Sequence, residues 1–494
     1  MIPVFVIIPL ASAFAMPLVC KVREGLGKFL AIAQGFLLLL FSLSSVFWAR
    51  TGVKVYAVGG HRAPFGISLE LDGLTVLMLL IINVIGFFAL VYSADYIKKY
   101  SSPGLYYTLF CLLLAGLNGV AISGDLFNMF VFLEIASIAS YALVAFGTQH
   151  EELEASFKYL ILGSVASLLI LLAIGFLLGS VSTLNMADIG RALAGSSSKH
   201  LILFCVALFT FGFSLKAGLV PFHTWLPDAH PSAPAPVSAM LSGVVIKTLG
   251  IYELLRVIFN VIGFTPRMGL IFMWLGILSM SVGVVLAIGQ WDFKRLLAYH
   301  SVSQIGYVIF GIGLGTPLGL IGGLFHLFNH SLFKSLLFLN AGSVEYATGT
   351  RQLERLGGLS RTMPFTGASS LVASLSIAGV PPLCGFWSKL IIIIAAFQAN
   401  RIFGAVTCIA VSMVTLASFL KVQKYAFLRK QDIVASGARE VPPTMVFSMV
   451  ALALLCIAVG FLFMPVITWI IQPAADVLQA GLSYAGWVLE GMKG

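Results

Sequence analysis

Glu134, Lys216, Lys247, Lys334 and Lys389 each stand inside an apolar run long enough to cross a bilayer, and His300, His326 and His330 share such runs. All of these side chains can take up or release a proton. A charge at mid-bilayer costs about 2.5–3.5 kcal/mol on insertion scales, so each group must face inward, meet water or find a partner. One arrangement is a static Glu134–Lys216 ion pair. Such pairs rarely stabilise, because desolvation offsets the Coulomb gain. It would also leave Lys247 and Lys389 without an acidic partner, since no other carboxylate is expected at mid-span. The alternative is a relay. Loss of hydration favours a neutral amine and a nearby carboxylate favours the ammonium. A change in the Glu134–Lys216 distance would then switch the lysine between holding and releasing a proton. The surplus of buried lysines favours the relay.

His326, His330 and Lys334 are spaced by four, which places them along one helix face. Histidine is the side chain whose ordinary pKa lies nearest neutrality, so this stripe can pass protons through intervening water. Two histidines four apart could also chelate a metal. A zinc protease would need Glu where Leu327 stands, and no third ligand is evident, so no metal is expected. His300 either extends the line or is a hydrogen-bonded packing residue. The segment from Pro221 to Pro236 holds Pro227, Pro231, Pro234 and Pro236, which predict an irregular turn rather than a helix. Its His223, Asp228 and His230 either guide protons to an inner mouth or bond the loop backbone. Lys158, also inside an apolar run, joins them as a candidate for access or gating. Gly313 and Gly315 do not follow a strand, so no dinucleotide site is expected.

These residues need apolar elements to hold them. The chain has 494 residues, 59% hydrophobic and 10% charged, with mean hydropathy +1.02. A water-soluble domain carries about 25% charged residues, so the bilayer is the solvent here. A net charge of +10 would suggest nucleic acid for a soluble protein. Here the basic residues sit in short loops and read as orientation signals, and no nucleic-acid partner is expected. Cys20, Cys111, Cys205, Cys384, Cys408 and Cys456 lie singly, so no iron–sulfur or zinc site can be built from this chain alone.

The twenty-residue rule for a spanning helix predicts fourteen spans, near 2–20, 29–49, 73–96, 105–123, 126–146, 156–180, 201–221, 235–258, 268–289, 294–314, 318–342, 364–397, 401–422 and 443–472. The first lacks the basic residues that precede the apolar core of a secretory signal, and reads as a span. The twelfth contains Gly379, Pro381, Pro382 and Gly385 and is read as a broken helix. With the N-terminus outside, inner loops carry 15 of the 29 Lys and Arg, and outer segments, including Arg62, Arg256 and Lys493, carry 9. That excess places both termini outside. A repeat is also visible. Asp125-Leu126-Phe127 and later Tyr141 in span 5 match Asp292-Phe293-Lys294 and Tyr307 in span 10. Ala217-Gly218 and Pro221 in span 7 match Ala378-Gly379 and Pro381 in span 12. Spans 4–8 and 9–13 then form two inverted five-helix copies, with sites at mid-membrane beside broken helices. The expected division is 1–104, 105–260, 261–430 and 431–494.

The stretches GDLFNMFVFLEIASIASY, HTWLPDAHPSAPAPVSAMLSGVVIKTLGIY and HLFNHSLFKSLLFLNAGSVE together resemble the antiporter-like subunits shared by respiratory complex I, Mrp-type cation/proton antiporters and membrane-bound energy-converting hydrogenases. The resemblance covers most of the chain and is strongest over about residues 65–430. It implies an all-α polytopic fold of about 14 transmembrane helices with helices 7 and 12 broken. By motif it implies that Glu134 and Lys216 are the switching pair and Lys247 the central lysine. His326, His330 and Lys334 become the span-11 stripe and Lys389 the terminal lysine, a position that relatives fill with Lys or Glu. The short tail leaves no length for the lateral helix of the largest complex I members, which is expected to be absent. The implied function is a proton-translocating subunit of a multisubunit complex, leaning toward a membrane-bound hydrogenase or related redox complex, with a D-type Mrp subunit as the alternative. An independent small-solute carrier and a structural scaffold fit the row of lysines less well. Expected partners are other membrane subunits, further antiporter-like chains among them, the lipid bilayer, protons and, as a second candidate, sodium. No cofactor is expected in this chain, and its expected location is a prokaryotic cytoplasmic membrane.

Overall fold

In lipid, every backbone amide must be bonded within its own segment, which leaves an apolar run only the helix. The computed structural model describes residues 2–61, 63–194, 199–430 and 437–491. Its helices are α1 (Val4–Val22), α2 (Glu24–Trp48), α3 (Gly73–Tyr96), α4 (Pro103–Ile122), α5 (Leu126–Val144), α6 (His150–Val181), α7 (Met186–Ala194), α8 (Lys199–Ala217), α9 (Leu226–Ser232), α10 (Ala235–Met240) and α11 (Glu253–Leu255). They continue as α12 (Pro266–Ile288), α13 (Phe293–Gly313), α14 (Pro317–Thr348), α15 (Leu359–Thr362), α16 (Pro364–Ala378), α17 (Cys384–Gln398), α18 (Ile402–Val422), α19 (Pro443–Phe461), α20 (Phe463–Val466), α21 (Gln472–Ala480) and α22 (Tyr484–Gly491). Around α11 the chain stays helical through π turns at Leu241–Val245, Lys247–Tyr252 and Arg256–Ile262. A small hairpin, β1 (Lys54–Ala57) paired antiparallel with β2 (Ser68–Leu71), is the one sheet among the described residues. Arg62, Lys493 and residues 431–436 lie outside the described residues.

Eleven described helices are long and apolar enough to cross a membrane. Three of the fourteen expected spans fall short of that measure, each for a physical reason. Residues 235–258 alternate α and π turns. α14 carries His326, Asn329, His330, Lys334 and Asn340 along its length. The twelfth is broken into α16 and α17, of 15 residues each. The proline-rich segment departs from expectation in the other direction, since α9 forms across it. Pro227 stands in the first turn, where no N–H is required, and Pro231 near the end of a seven-residue helix. Two basic residues assigned to loops are buried: Arg256 pairs with Asp72 at 2.8 Å and Lys294 with Glu345 at 2.7 Å.

The repeat is visible in the backbone bonding. Asp125 caps α5 by accepting from Asn128 N at 2.8 Å, and Asp292 caps α13 by accepting from Arg295 N at 2.9 Å. Leu126 N then donates to Leu184 O, and Phe293 N to Arg351 O, each at 2.9 Å. The helices that follow, α6 and α14, both run 32 residues and end in left-handed residues, Ser182 and Gly349. Next, α8 and α16 stop at Gly218 (φ 67°) and Gly379 (φ 82°), where a left-handed turn favours glycine. Leu219 N bonds Ser214 O and Val380 N bonds Leu375 O, each at 3.0 Å. Both copies then pass a cis bond, Val220–Pro221 and Pro381–Pro382. Five crossings separate Asp125 from Asp292 (α5, α6, α8, the run 235–262 and α12), so the two caps lie on opposite faces. Asp125 lies near the hairpin, where Leu69 bridges Ser123; this is the hairpin face. Asp292 lies in a cleft with Asp228, Arg295 and Arg351; this is the cleft face.

Candidate functional site

α5 packs on α6, and α6 on α8, bringing Glu134 and Lys216 together. Lys216 Nζ stands 3.9 Å from Glu134 Oε1, and the lysine side chain is 3% exposed against 32% for the glutamate. This is wider than the 2.7–2.9 Å of a tight charged hydrogen bond. The amine donates instead to Ser137 Oγ at 2.9 Å and Tyr141 Oη at 3.4 Å, while Glu134 accepts from the Ser167 hydroxyl. The pair is therefore open, with each partner held by a hydroxyl. Lys216 is the last residue but one of α8 before the Gly218 break, so its amine sits where the helix gives out.

Lys247 follows directly. Gly250, one turn on, lies so close to Ala217 that a Cβ there would come within 2.5 Å of Ala217 N. The Lys247 amine donates to Ser242 O at 2.5 Å in the preceding π turn, a local geometry often found at functional sites. α14 packs against this segment, α13 and α17. It contributes Lys334, whose amine has no hydrogen-bond partner among the described residues, and His330, neither of whose ring nitrogens has one. His326 stacks on His330 with ring centroids 6.2 Å apart and planes at 14°. Its Nδ1 meets Ser388 Oγ at 3.0 Å, and its Nε2 is unpartnered. Tyr307 lies 5.4 Å from the His326 ring and 4.9 Å from the Lys389 amine. Lys389 donates to Ile377 O at 2.7 Å, a carbonyl at the end of α16, and to Ser412 Oγ at 3.2 Å. All seven of these residues except Glu134 are buried.

The remaining candidates separate by depth. His300 is buried, bonded through Nε2 to Ser418 Oγ at 2.8 Å, with no partner for Nδ1 among the described residues. His230 is buried, neither ring nitrogen having a partner among the described residues, its ring 5.8 Å from Phe338. His223 is half-buried in the break after α8, its Nδ1 unpartnered. Lys158 is not a buried group. Its side chain is 46% exposed and pairs with Glu154 at 2.8 Å and Asp228 at 3.0 Å. Lys158 and Asp228 line the cleft of about 560 Å³ on the cleft face, with Glu151, Asp292, Arg295 and Arg351. A neighbouring cleft of about 390 Å³ reaches inward to the Lys294–Glu345 pair.

Three features were missed from sequence. Glu253 is fully buried on α11, and neither carboxylate oxygen has a partner among the described residues; the expectation of no further carboxylate at mid-span left it out, because it falls toward the end of the span at 235–258. Glu345 closes the pair with Lys294. At the hairpin face, Asp72 caps α3 and binds Arg256, and the Tyr484 hydroxyl reaches both Asp72 and Glu70, the latter at 2.9 Å. Burial alone would raise the Asp72 carboxyl, but Arg256 outweighs it and holds the group below its usual range. Glu70 is pushed up to about 7, chiefly by burial, with Arg256 opposing and Asp72 adding. The signal for Glu253 was present: it lies inside the span drawn at 235–258.

A helical membrane protein with a row of buried amines and imidazoles between two clefted faces is, by class, an integral membrane protein built for ion handling. The chain belongs to the family described as NADH:quinone oxidoreductase/Mrp antiporter, transmembrane, whose profile matches residues 123–415. Residues 58–107 match the N-terminal segment of complex I chain 5. The D-type subunit of the Na(+)/H(+) antiporter of Alkalihalophilus pseudofirmus is 34% identical, covering 91% of this chain and 92% of that one. A chain in the structure of the Mrp complex from Dietzia sp. DQ12-45-1b superposes with a TM-score of 0.92 at 28% identity, covering 99% of both. A chain of the membrane-bound sulfane sulfur reductase, an archaeal respiratory membrane complex, does so with 0.90 at 29% identity, covering 99% of both. The antiporter-like fold, with its inverted repeats, is therefore the fold of this chain.

Proposed function

We propose that the chain moves protons through Glu134, Lys216, Lys247, Lys334, His330, His326 and Lys389 as a subunit of a multisubunit ion-pumping complex, and itself holds no redox group. The observation that carries this is the series of buried nitrogens, Lys334 Nζ, His330 Nδ1 and Nε2, and His326 Nε2, without partners among the described residues. Buried polar atoms are almost always bonded to protein or to ordered water. A line of atoms lacking the first calls for the second, and hydrogen-bonded water between titratable groups conducts protons. The open Glu134–Lys216 pair supplies the switch. Closing the 3.9 Å gap favours the ammonium, and opening it favours release to Lys247. The clefts around Asp228 and Lys294 give access from the cleft face, with Lys158 as a rim group and His230 and His223 deeper.

The cleft face is the cytoplasmic side of a prokaryotic membrane in this reading, and the N-terminus is outside. Other membrane subunits, further antiporter-like chains among them, drive the switch by moving the broken ends of α8 and α16. Redox-linked and Mrp-type assemblies both fit. The similarity to a D-type antiporter chain favours testing sodium exchange first. In vesicles holding the intact complex, Glu134→Gln and Lys216→Ala are expected to abolish coupled proton movement while the complex still assembles. Wild-type flux in both variants would overturn the relay.

A further inference from the structure

We infer that Glu253 is a further proton-carrying group, exchanging a proton with Lys216 and passing it toward the hairpin face. This rests on the relay reading above. Glu253 is 0% exposed, and both of its oxygens lack a partner among the described residues. A purely structural position flanked by Leu254 and Leu255 would be better filled by another leucine, because a buried unpaired carboxylate costs free energy and packs nothing. The cation nearest along its own helical run is Arg256, one turn further on. Arg256 is already engaged, with Asp72 at 2.8 Å, Thr75 Oγ1 at 3.2 Å and the Tyr252 hydroxyl at 3.4 Å. α11 packs instead against α8, which ends beside Lys216, and Gly250, one turn before Glu253, lies directly against Ala217. Two carboxylates of unlike character thus serve α8, Glu134 on α5, a third exposed and 3.9 Å from the Lys216 amine, and Glu253, wholly enclosed on the segment packed against that helix.

The step balances simply. An N–H bond of the Lys216 ammonium breaks and an O–H bond forms on the Glu253 carboxylate, directly or through one water. The products are a neutral amine and a neutral acid. The net charge of the pair does not change, so no counter-ion has to enter the buried site. Direction follows from the chain. Lys247, Glu253 and Arg256 succeed one another along one helical run, and Arg256 meets Asp72 at the start of α3. Asp72 lines a cleft of about 500 Å³ with Asp476 and Glu490 on that face. A proton leaving Glu253 on this side reaches the Asp72–Tyr484–Glu70 group and then the cleft. Lys216 would then serve two outlets, one along α14 and one through Glu253.

The test uses the intact complex in vesicles, with E253Q, E253L and E253D measured beside E134Q and K216A. Coupled proton flux is expected to fall at least about tenfold in E253Q and E253L and to be largely retained in E253D. The infrared carbonyl-stretch band of a buried carboxylic acid should vanish in E253Q, move in E253D and shift when Lys216 is removed. Wild-type flux in E253L while E134Q is inactive overturns the role of Glu253 and leaves the relay standing. Wild-type flux in E134Q and K216A overturns the relay itself. If E253L fails to assemble, the infrared band decides: a band that moves in E253D and responds to K216A supports the inference, and one indifferent to Lys216 sinks it.

Discussion

The four central lysines are all buried, yet they are held differently, and the difference predicts different mutant behaviour. Lys216, Lys247 and Lys389 each donate to a hydroxyl or carbonyl, whereas the Lys334 amine has no such partner among the described residues. Replacing Lys334 by Met keeps the unbranched stem and removes a polar group that packing does not need. The complex carrying Lys334→Met should be as stable as wild type, or more so by up to about 2 kcal/mol, and should lose coupled proton flux. Thermal unfolding and vesicle transport on one preparation check both halves; lost stability with intact flux would make Lys334 a packing residue. Ser137 makes the complementary case. Its hydroxyl holds the Lys216 amine at 2.9 Å, away from Glu134. A hydrogen bond to a charged group contributes about 1.5–3 kcal/mol. In Ser137→Ala the amine should move onto Glu134, closing the pair and slowing turnover by roughly tenfold without abolishing it, which initial-rate transport would read.

At the scale of elements, the breaks in α8 and α16 hold Lys216 and Lys389, and a pair of glycine substitutions separates strain from function. Gly218 (φ 67°) and Gly349 (φ 71°) share the left-handed conformation. An alanine at either costs about 1–2 kcal/mol. At Gly349 a Cβ meets nothing within 4 Å, whereas at Gly218 it would lie 2.6 Å from Leu226 Cδ1. Both variants should lose similar thermal stability from the backbone, and Gly218→Ala alone should also lose flux, since either the buried Leu226 side chain or the turn that places Lys216 must give way. The same breaks show what a sequence reveals. Glu134, Lys216, Lys247 and the α14 stripe were legible because their types conflict with their apolar surroundings, and the paired Gly218 and Gly379 because few residues turn a helix this way. α9 was not, because proline count argues for coil, while Pro227 in a first turn sacrifices no hydrogen bond. Nor was Glu253, because Arg256, counted with the outer segments, follows it by one turn and sets the membrane edge there. Only the pairing of Arg256 with Asp72, a residue 184 positions away, draws that edge outward, and no local pattern encodes such a contact.

Across the whole molecule, the hairpin face is tied together by groups from three distant parts of the chain: Glu70 on β2, Asp72 before α3, Arg256, and Tyr484 of α22. Asn260 adds a bond to Val477 O at 2.8 Å, so the C-terminal helices are fastened to the run that carries Lys247 and Glu253. Glu70 gives this fastening a pH dependence whose sign can be worked out. Its carboxyl is at about 7 when folded, against 4.5 for an ordinary glutamate. The folded chain therefore binds this proton more tightly than the unfolded chain does. The stabilising contribution is complete below pH 4.5. It declines as pH rises and is gone above about 7, a loss of up to about 3 kcal/mol for the whole interval. Asp72 leaves this trend unchanged: Arg256 holds its carboxyl below the ordinary 3.8, so its contribution is complete above that pH and is lost only as pH falls further. Glu70→Gln removes the titrating group and keeps the neutral shape, so the midpoint of thermal unfolding in that variant should fall less between pH 5 and 8 than in wild type, and hydrogen exchange in α22 should lose the same pH dependence. Parallel curves for the two proteins would mean that Glu70 is already ionised at pH 5 and that Tyr484 holds the carboxylate rather than the acid.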